Sequence, residues 1–519
     1  MPQIYLPDED TIAAIATPPG WGGIAVIRIS GKESIQILER VFKREGKGRA
    51  SDMESYRLYL GHIFDPESEK KLDRVLCVLM KSPHSYTGED VVEIHSHGGY
   101  LVPKRILNLI FKHGARPARP GEFTLRAFLN GKIDLAQAEA VADVVNAQTE
   151  EGLRQAELQL EGALSRRIDG FKETLLDTLA EIEAHIDFPE EDIDSIIKET
   201  MIRRLNELIE KMDELLATYD QGRIIKHGVY IAIIGKPNVG KSSLLNQLVM
   251  KERAIVSPYP GTTRDFIEET IDVRGIPLRL VDTAGLRATT DEVEKVGVEF
   301  AKKKAEEAEL IIAVVDGSTK LDEDDFEVLK SIQGNIALGT TLTEPDLFGV
   351  QDSASPIESA DLHMKIDKNN EGEDGLKPPH IVNRDNRKWI LVINKSDLPQ
   401  RVSKEHLARI LPKERIVETS AKLGSGIEEL KDKIYEILIG KKSHIEGNEV
   451  IINELRHKTA IEKARENLIT FLEAIRRGES PEFLAVDLRS AMNFLGEITG
   501  EITAEDVLGR IFSKFCIGK

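Results

Sequence analysis

Cysteine is nearly missing from this chain, whose 519 residues hold only Cys77 and Cys516. Two thiols exclude a disulfide framework and fit a reducing compartment. Aromatic residues are scarce at 5%, and no uninterrupted apolar run approaches the ~20 residues that a membrane-spanning helix needs. The first ten residues carry Asp8, Glu9 and Asp10 instead of the basic-then-apolar order of a secretory leader. Basic charge is in deficit as well: 70 Lys and Arg face 89 Asp and Glu, a formal net charge of −19. So acidic a chain is a poor general binder of nucleic acid, because that affinity rests on neutralised phosphates. Any RNA contact is therefore local or supplied by a partner. These absences predict a cytoplasmic protein with no membrane segment.

What is present suffices for several cores, since 41% of residues are hydrophobic and the length exceeds a single domain. Four zones separate by pattern. Residues 1–122 hold short β-like runs, at 24–29 and 75–80, with turn residues between them. Residues 123–220 turn helical, with Leu175, Leu179 and Ile182, then Ile202, Leu205, Leu208 and Ile209, at three- and four-residue spacing. Residues 221–443 alternate apolar strands, expected at 229–234, 278–281, 310–315 and 389–393, with helices, as a doubly wound α/β domain does. Residues 444–519 are helical again. Helical blocks on both sides predict that the α/β domain is inserted into one helical unit. The expected fold class is thus multidomain α+β and α/β. It comprises an N-terminal α+β domain, a helical domain in two parts, and an inserted Ras-like P-loop domain. Within the last, residues 334–388 are polar and acidic, with E-G-E-D-G at 371–375, and read as a disordered insertion.

The chemistry concentrates in the inserted zone. G-K-P-N-V-G-K-S at 235–242 follows an expected strand and opens a helical segment at Ser243, the context a phosphate-binding loop requires. Its glycines let backbone N–H groups approach phosphates, with Asn238, Val239 and Gly240 in the cradle. Lys241 is expected at the β- and γ-phosphates, and the Ser242 hydroxyl on Mg²⁺. Asp282, Thr283, Ala284 and Gly285 follow the strand at 278–281, placing a carboxylate for Mg²⁺ and a glycine for the γ-phosphate. Asn394, Lys395, Ser396 and Asp397 end another strand, and this Asp can pair bidentately with N1 and the 2-amino group of guanine. Ser420, Ala421 and Lys422 resemble the loop that supports the base. Four elements in this order select GTP over ATP. A ribosome-assembly GTPase switch would share them, but should also carry a basic RNA-binding module downstream.

Two details bear on hydrolysis. Leu286 stands where Ras-like proteins carry the glutamine that orients water, so that group must come from elsewhere. Ser257, Pro258, Tyr259, Pro260, Gly261, Thr262 and Thr263 form a turn-rich switch. With Asn238, their oxygens can hold a monovalent cation whose charge would stand in for an arginine finger.

Over nearly its whole length the chain resembles the MnmE (TrmE) family of bacterial tRNA modification GTPases. The resemblance is carried by A-T-P-P-G-W-G-G (16–23), Y-T-G-E-D-V-V-E-I-H-S-H-G-G (86–99), R-P-G-E-F-T-L-R-A-F-L-N-G-K (119–132) and L-A-Q-A-E-A (135–140). It continues in G-T-T-R-D (261–265), D-T-A-G-L-R (282–287) and the terminal C-I-G-K (516–519). It implies a K⁺-stimulated GTPase activated when its G domains dimerise. K⁺ would be held by Asn238, Ser257, Tyr259 and Thr262, and Mg²⁺ by Ser242 and Thr263. Glu294 would orient the attacking water, with Lys241 also catalytic, while Arg264, Asp265 and Arg287 support the switches. The resemblance also implies a homodimer whose N-terminal domain binds a formyl- or methylene-tetrahydrofolate through Arg28, Glu93, Lys132 and Lys519. Cys516 would act near the modification site. The implied product is an aminomethyl or carboxymethylaminomethyl group at C5 of a tRNA wobble uridine (U34), made with the FAD-dependent partner MnmG. Pro258 and Pro260 depart from the family's cation loop and stiffen it.

Overall fold

A computed structural model describes residues 10–46, 48–187, 195–251, 269–281, 308–333, 388–409, 411–440, 449–502 and 505–519. The chain divides into two compact units, Met1–Lys226 with Ile445–Lys519, and His227–His444.

The first unit opens with a seven-stranded sheet built from β1 (Ile12–Ile15), β2 (Ile24–Ser30), β3 (Phe42–Arg44), β4 (Leu58–Phe64), β5 (Lys71–Met80), β6 (Val91–His97) and β7 (Arg116–Pro117). Its spatial order is β3-β4-β5-β6-β2-β1-β7. Alternation decides the faces: Ala25, Ile27 and Ile29 of β2 are buried, while Val26 and Arg28 point to the other side. The buried face packs on the helices Ser34–Val41 and Leu101–Lys112, so that Ile27, Ile29, Cys77, Ile94, Leu38 and Ile106 share one core. Cys77 is fully buried, and burial pushes its thiol far above the ordinary range, which makes it an inert packing residue. The opposite face carries Arg28 beside Glu93, and the exposed Leu58, Leu60 and Leu76.

The helices Ala163–Asp187, Ser195–Ala217, Leu455–Arg477 and Pro481–Thr499 build a second core of the same unit. Leu175, Leu179, Ile182, Leu205 and Leu208 meet Leu468, Phe471, Leu488 and Leu495 there, so residues on both sides of the insertion bury one another. The helix Tyr219–His227 leaves this unit, and segment 449–454 returns to it. A Cβ on Gly222 would stand 2.2 Å from the Ile452 carbonyl oxygen, so only glycine allows this crossing. Lys226 Nζ donates to Asp143 Oδ2 and Glu454 Oε1, both at 2.5 Å. Close by, the buried Glu139 accepts from Arg456 Nη2 at 2.9 Å and pairs with His457 Nε2 at 2.8 Å.

The second unit is a six-stranded sheet in the order β13-β12-β11-β8-β10-β9. Its strands are β8 (Val229–Ile234), β9 (Glu269–Val273), β10 (Ile276–Val281), β11 (Leu310–Asp316), β12 (Lys388–Asn394) and β13 (Ile416–Glu418). The β9–β10 pair is antiparallel and the remaining ladders are parallel. The central β11 and β12 are almost wholly apolar and buried, as parallel strands covered on both faces must be. From β8 the chain fills one side of the sheet with β9 and β10, then crosses to place β11 on the other side. The carboxyl end of β8 is therefore the topological switch point, where open α/β sheets bind ligands. The insertion expected at 334–388 lies, apart from Lys388 at the start of β12, outside the described residues.

Candidate nucleotide and folate sites

The phosphate loop leaves β8 at that switch point and runs into the helix Lys241–Lys251. Gly235 (φ +150°) and Gly240 (φ +100°) adopt backbone conformations that L side chains rarely reach. A Cβ would also stand 2.3 Å from the Val314 carbonyl oxygen at the first and 2.2 Å from Asn394 Nδ2 at the second. Asn238 takes φ +65°, which asparagine tolerates better than most residues. Val239 is buried beneath the loop, while Ser242 and Ser243 lie exposed on the first helical turn. Lys241 Nζ donates to the carbonyls of Gly235 (2.8 Å) and Lys236 (2.7 Å), folding back over its own loop.

The base loop follows β12, two strands away. Asn394 is buried and ties three segments together. Its Nδ2 donates to the Val239 carbonyl (2.8 Å), and its Oδ1 accepts from Ala421 N (3.0 Å) and Thr419 Oγ1 (3.2 Å). Ser396 N donates to the Thr419 carbonyl at 3.0 Å. Asp397 is exposed, with Oδ1 accepting from Ser420 Oγ at 2.6 Å. That hydrogen bond, with the nearby charges of Lys422 and Lys395, holds its carboxyl below the usual carboxylate range. Lys395 pairs with Asp316 at the end of β11 (2.6 Å). The phosphate loop, the base loop and the 420–422 loop thus meet at one end of the sheet. Ser257, Pro258, Tyr259, Pro260, Gly261, Thr262 and Thr263, together with Asp282, Thr283, Ala284, Gly285 and Glu294, lie outside the described residues.

In the first unit, Arg28 and Glu93 face each other across β2 and β6. Arg28 Nε and Nη2 both reach Glu93 Oε1, at 2.8 and 2.7 Å. Arg28 Nη1 donates to the carbonyl of Gly518 (3.3 Å), so the last residues of the chain close over the first sheet. A Cβ on Gly518 (φ +99°) would lie 2.6 Å from the Ile15 carbonyl oxygen, which fixes glycine at this approach. Burial, then the charge of Arg28, hold Lys519 below the ordinary lysine range. Cys516 is exposed, and its carbonyl accepts from Gly121 N at 3.5 Å. Arg28, Glu93 and Lys519 converge; Lys132 instead donates to the Pro83 carbonyl (3.1 Å), on the loop that carries Tyr86. The rings of Tyr86 and Phe123 each stand 5.6 Å from the Arg28 guanidinium. Tyr86 opens the segment 86–99 and Phe123 lies within 119–132, but a lone aromatic carries no local signal of a site, and neither do Asp316 and Lys236.

A doubly wound sheet with a phosphate loop at its switch point and an Asn-Lys-Ser-Asp loop beside it defines a P-loop guanine-nucleotide hydrolase. Residues 11–132 match the family described as GTP-binding protein TrmE N-terminus, and residues 135–516 match the MnmE helical domain. The chain belongs to the MnmE family of tRNA modification GTPases, and it is a GTP hydrolase. It is 42% identical over 511 residues to the tRNA modification GTPase MnmE of Geobacter sulfurreducens, covering 98% of this chain and 99% of that one. With the protein of the same description from Alkaliphilus oremlandii it is 40% identical over 511 residues, again covering 98% and 99%. Among solved structures, the G domain of the T. maritima FeoB iron transporter is 23% identical over 40% of this chain and 98% of that one. Its TM-score is 0.22, too slight a likeness to carry an argument. Among the described residues no helix is long and apolar enough to cross a membrane.

Proposed function

We propose that this chain hydrolyses GTP to drive a cytoplasmic complex that modifies C5 of the wobble uridine (U34) in certain tRNAs. The product is an aminomethyl or carboxymethylaminomethyl group, built from a one-carbon unit on tetrahydrofolate with MnmG as the FAD-dependent partner. The observation that carries this reading is the meeting of Arg28 and Glu93 with the tail that holds Cys516 and Lys519. Arg28, already paired with Glu93, lies close to Lys519, and burial first, then the charge of Arg28, hold Lys519 below the ordinary lysine range, so an anionic group bound there would find two cations. Arg28 and Lys519 suit the glutamate tail or a carbonyl, and Glu93 the guanidine-like edge of a pterin. The folate itself supplies the one-carbon unit; these residues bind and orient it. The exposed leucines on the open sheet face, Leu58, Leu60 and Leu76, support self-association as a homodimer.

In the nucleotide site, Ser242 offers Mg²⁺ a hard oxygen at the helix start, with Thr263 as its expected companion. Asn238 is the described member of the K⁺ set; Ser257, Tyr259 and Thr262 complete it by sequence. Glu294 orients the attacking water, so Glu294→Ala is expected to leave GTP affinity intact and slow turnover about 10²-fold. Equilibrium binding and single-turnover assays separate the two effects, and an unchanged rate removes Glu294 from the reaction. The whole reading is tested by mass spectrometry of tRNA nucleosides from a strain lacking the chain. C5-modified wobble uridines should vanish and return on complementation. Unchanged nucleosides would overturn the tRNA assignment while leaving the GTPase intact.

A further inference from the structure

We propose that the segment 316–325, which carries none of the nucleotide motifs, is a brace whose carboxylates, Asp316, Asp322 and Asp325, position the base loop and the phosphate loop together. It connects β11 to the helix Glu323–Gln333. At its first end, one carboxylate oxygen of Asp316 accepts from Ser318 N (2.9 Å) and Oγ (2.6 Å), while the other holds Lys395 Nζ at 2.6 Å. Lys395 stands at φ +65°, a conformation that a lysine adopts only when its surroundings impose it. Gly317 N donates to the Asn394 carbonyl at 2.9 Å, so backbone and side chain both register the base loop against this segment.

At the other end Lys236, the second residue of the phosphate loop, reaches Asp322 Oδ2 (2.6 Å) and Asp325 Oδ2 (2.7 Å). Asp322 and Asp325 are themselves locked at the helix start, each backbone N donating to the other's carboxylate at 3.2 Å. The Asp325 side chain is 3% exposed, and a carboxylate buried so deeply needs a cationic partner, which is Lys236. The Lys236 carbonyl in turn accepts from Lys241 Nζ, which brings the brace within one residue's reach of the phosphate-directed lysine. The charges agree with the geometry. Burial alone would lower the Lys236 pKa, yet its bonds to Asp322 and Asp325 raise it. Burial would likewise raise that of Asp316, and Lys395 and Ser318 lower it.

Lys236, Asp316 and Asp325 are positioning residues: they act through the loops, not on the phosphates. Neutralising Lys236 would also turn two uncompensated carboxylates toward a loop that holds anions, and a triphosphate suffers more from that than a diphosphate. The test uses the intact chain with fluorescent GDP and a non-hydrolysable GTP analogue in stopped flow, alongside thermal unfolding. Asp316→Asn and Lys236→Met are each expected to release nucleotide about tenfold faster, with the Lys236 variant affecting the GTP analogue more than GDP. The conservative variants Asp316→Glu and Lys236→Arg should recover much of the parent behaviour. Asp316→Asn should melt within ~2 °C of the parent, whereas Lys236→Met, which strips the buried Asp325 of its partner, should melt several degrees lower and be restored by Lys236→Arg. Release rates within roughly twofold of the parent would overturn the brace. So would faster release that merely tracks a lower melting temperature and is not restored by the conservative variants. Both results are distinct from a failure of the motif assignments, which would abolish nucleotide binding itself.

Discussion

Asp397→Asn is expected to move the nucleotide preference of this chain from guanine to xanthine, with GTP affinity falling on the order of 10²–10⁴-fold. An aspartate accepts from both the N1–H and the 2-amino group of guanine, and each charge-assisted bond is worth about 1.5–3 kcal/mol. Asparagine replaces one acceptor by a donor, which faces the 2-amino group of guanine but complements the 2-oxo group of xanthine. Ser420 fixes the carboxylate by donating to Oδ1, so the exchange acts on a side chain already oriented at the sheet's end. Competition of GTP and XTP against a fluorescent nucleotide, followed by XTP hydrolysis, reads the switch. Unchanged guanine selectivity would remove Asp397 from base recognition.

The second large effect concerns stability. Burial of Glu139 works to raise its pKa, but His457 and Arg456 outweigh burial and bring it from the ordinary 4.5 down to about 2. At about 1.4 kcal/mol per unit, the ionised carboxylate contributes about 3 kcal/mol to the folded unit. Because the folded pKa is the lower one, that contribution is complete above about pH 4.5 and drains away as pH falls toward about 2. Glu139→Gln should therefore cost about 3 kcal/mol at neutral pH, a drop in melting temperature of roughly 5–10 °C. The gap between parent and variant should narrow steadily on acidification through that window. Calorimetry across pH checks this; a constant gap would mean that the loss comes from packing and not from the charge.

The two predictions differ in how far the sequence alone could reach them. Asp397 was legible because its loop is contiguous and stands at the end of an apolar run that had to be a strand. The same locality placed the strands at 229–234 and 389–393, since V-Y-I-A-I-I and W-I-L-V-I are unbroken runs of apolar and aromatic residues rich in β-branched side chains and too short for a buried helix. Glu139 was not legible: it sits in a helical motif, L-A-Q-A-E-A, and its partners lie more than 300 positions onward. Arg28 and Gly518 meet across 490 positions, and Lys236 meets Asp322 across 86. In the one-dimensional pattern Glu139, Arg28, Lys236 and Asp322 each read as a surface charge. Only packing decides which surface charges are brought face to face, and periodicity carries no record of that choice.

The crossing of Gly222 and Ile452 has a consequence for how the chain is assembled. The helix that leaves the first unit and the segment that returns to it touch through bare backbone, and Lys226 and Glu454 stitch them a turn further on. Removing residues 227–444 would therefore leave two ends that a handful of glycines and serines can rejoin. In the second unit, β8 begins and the helix Ile427–Ile439 ends near the same rim of the sheet, where Lys388 Nζ donates to the Leu438 carbonyl, opposite the nucleotide loops. The nucleotide-hydrolysing part is thus a cassette with a single socket. Gene fusion can insert or exchange such a part without unthreading either core.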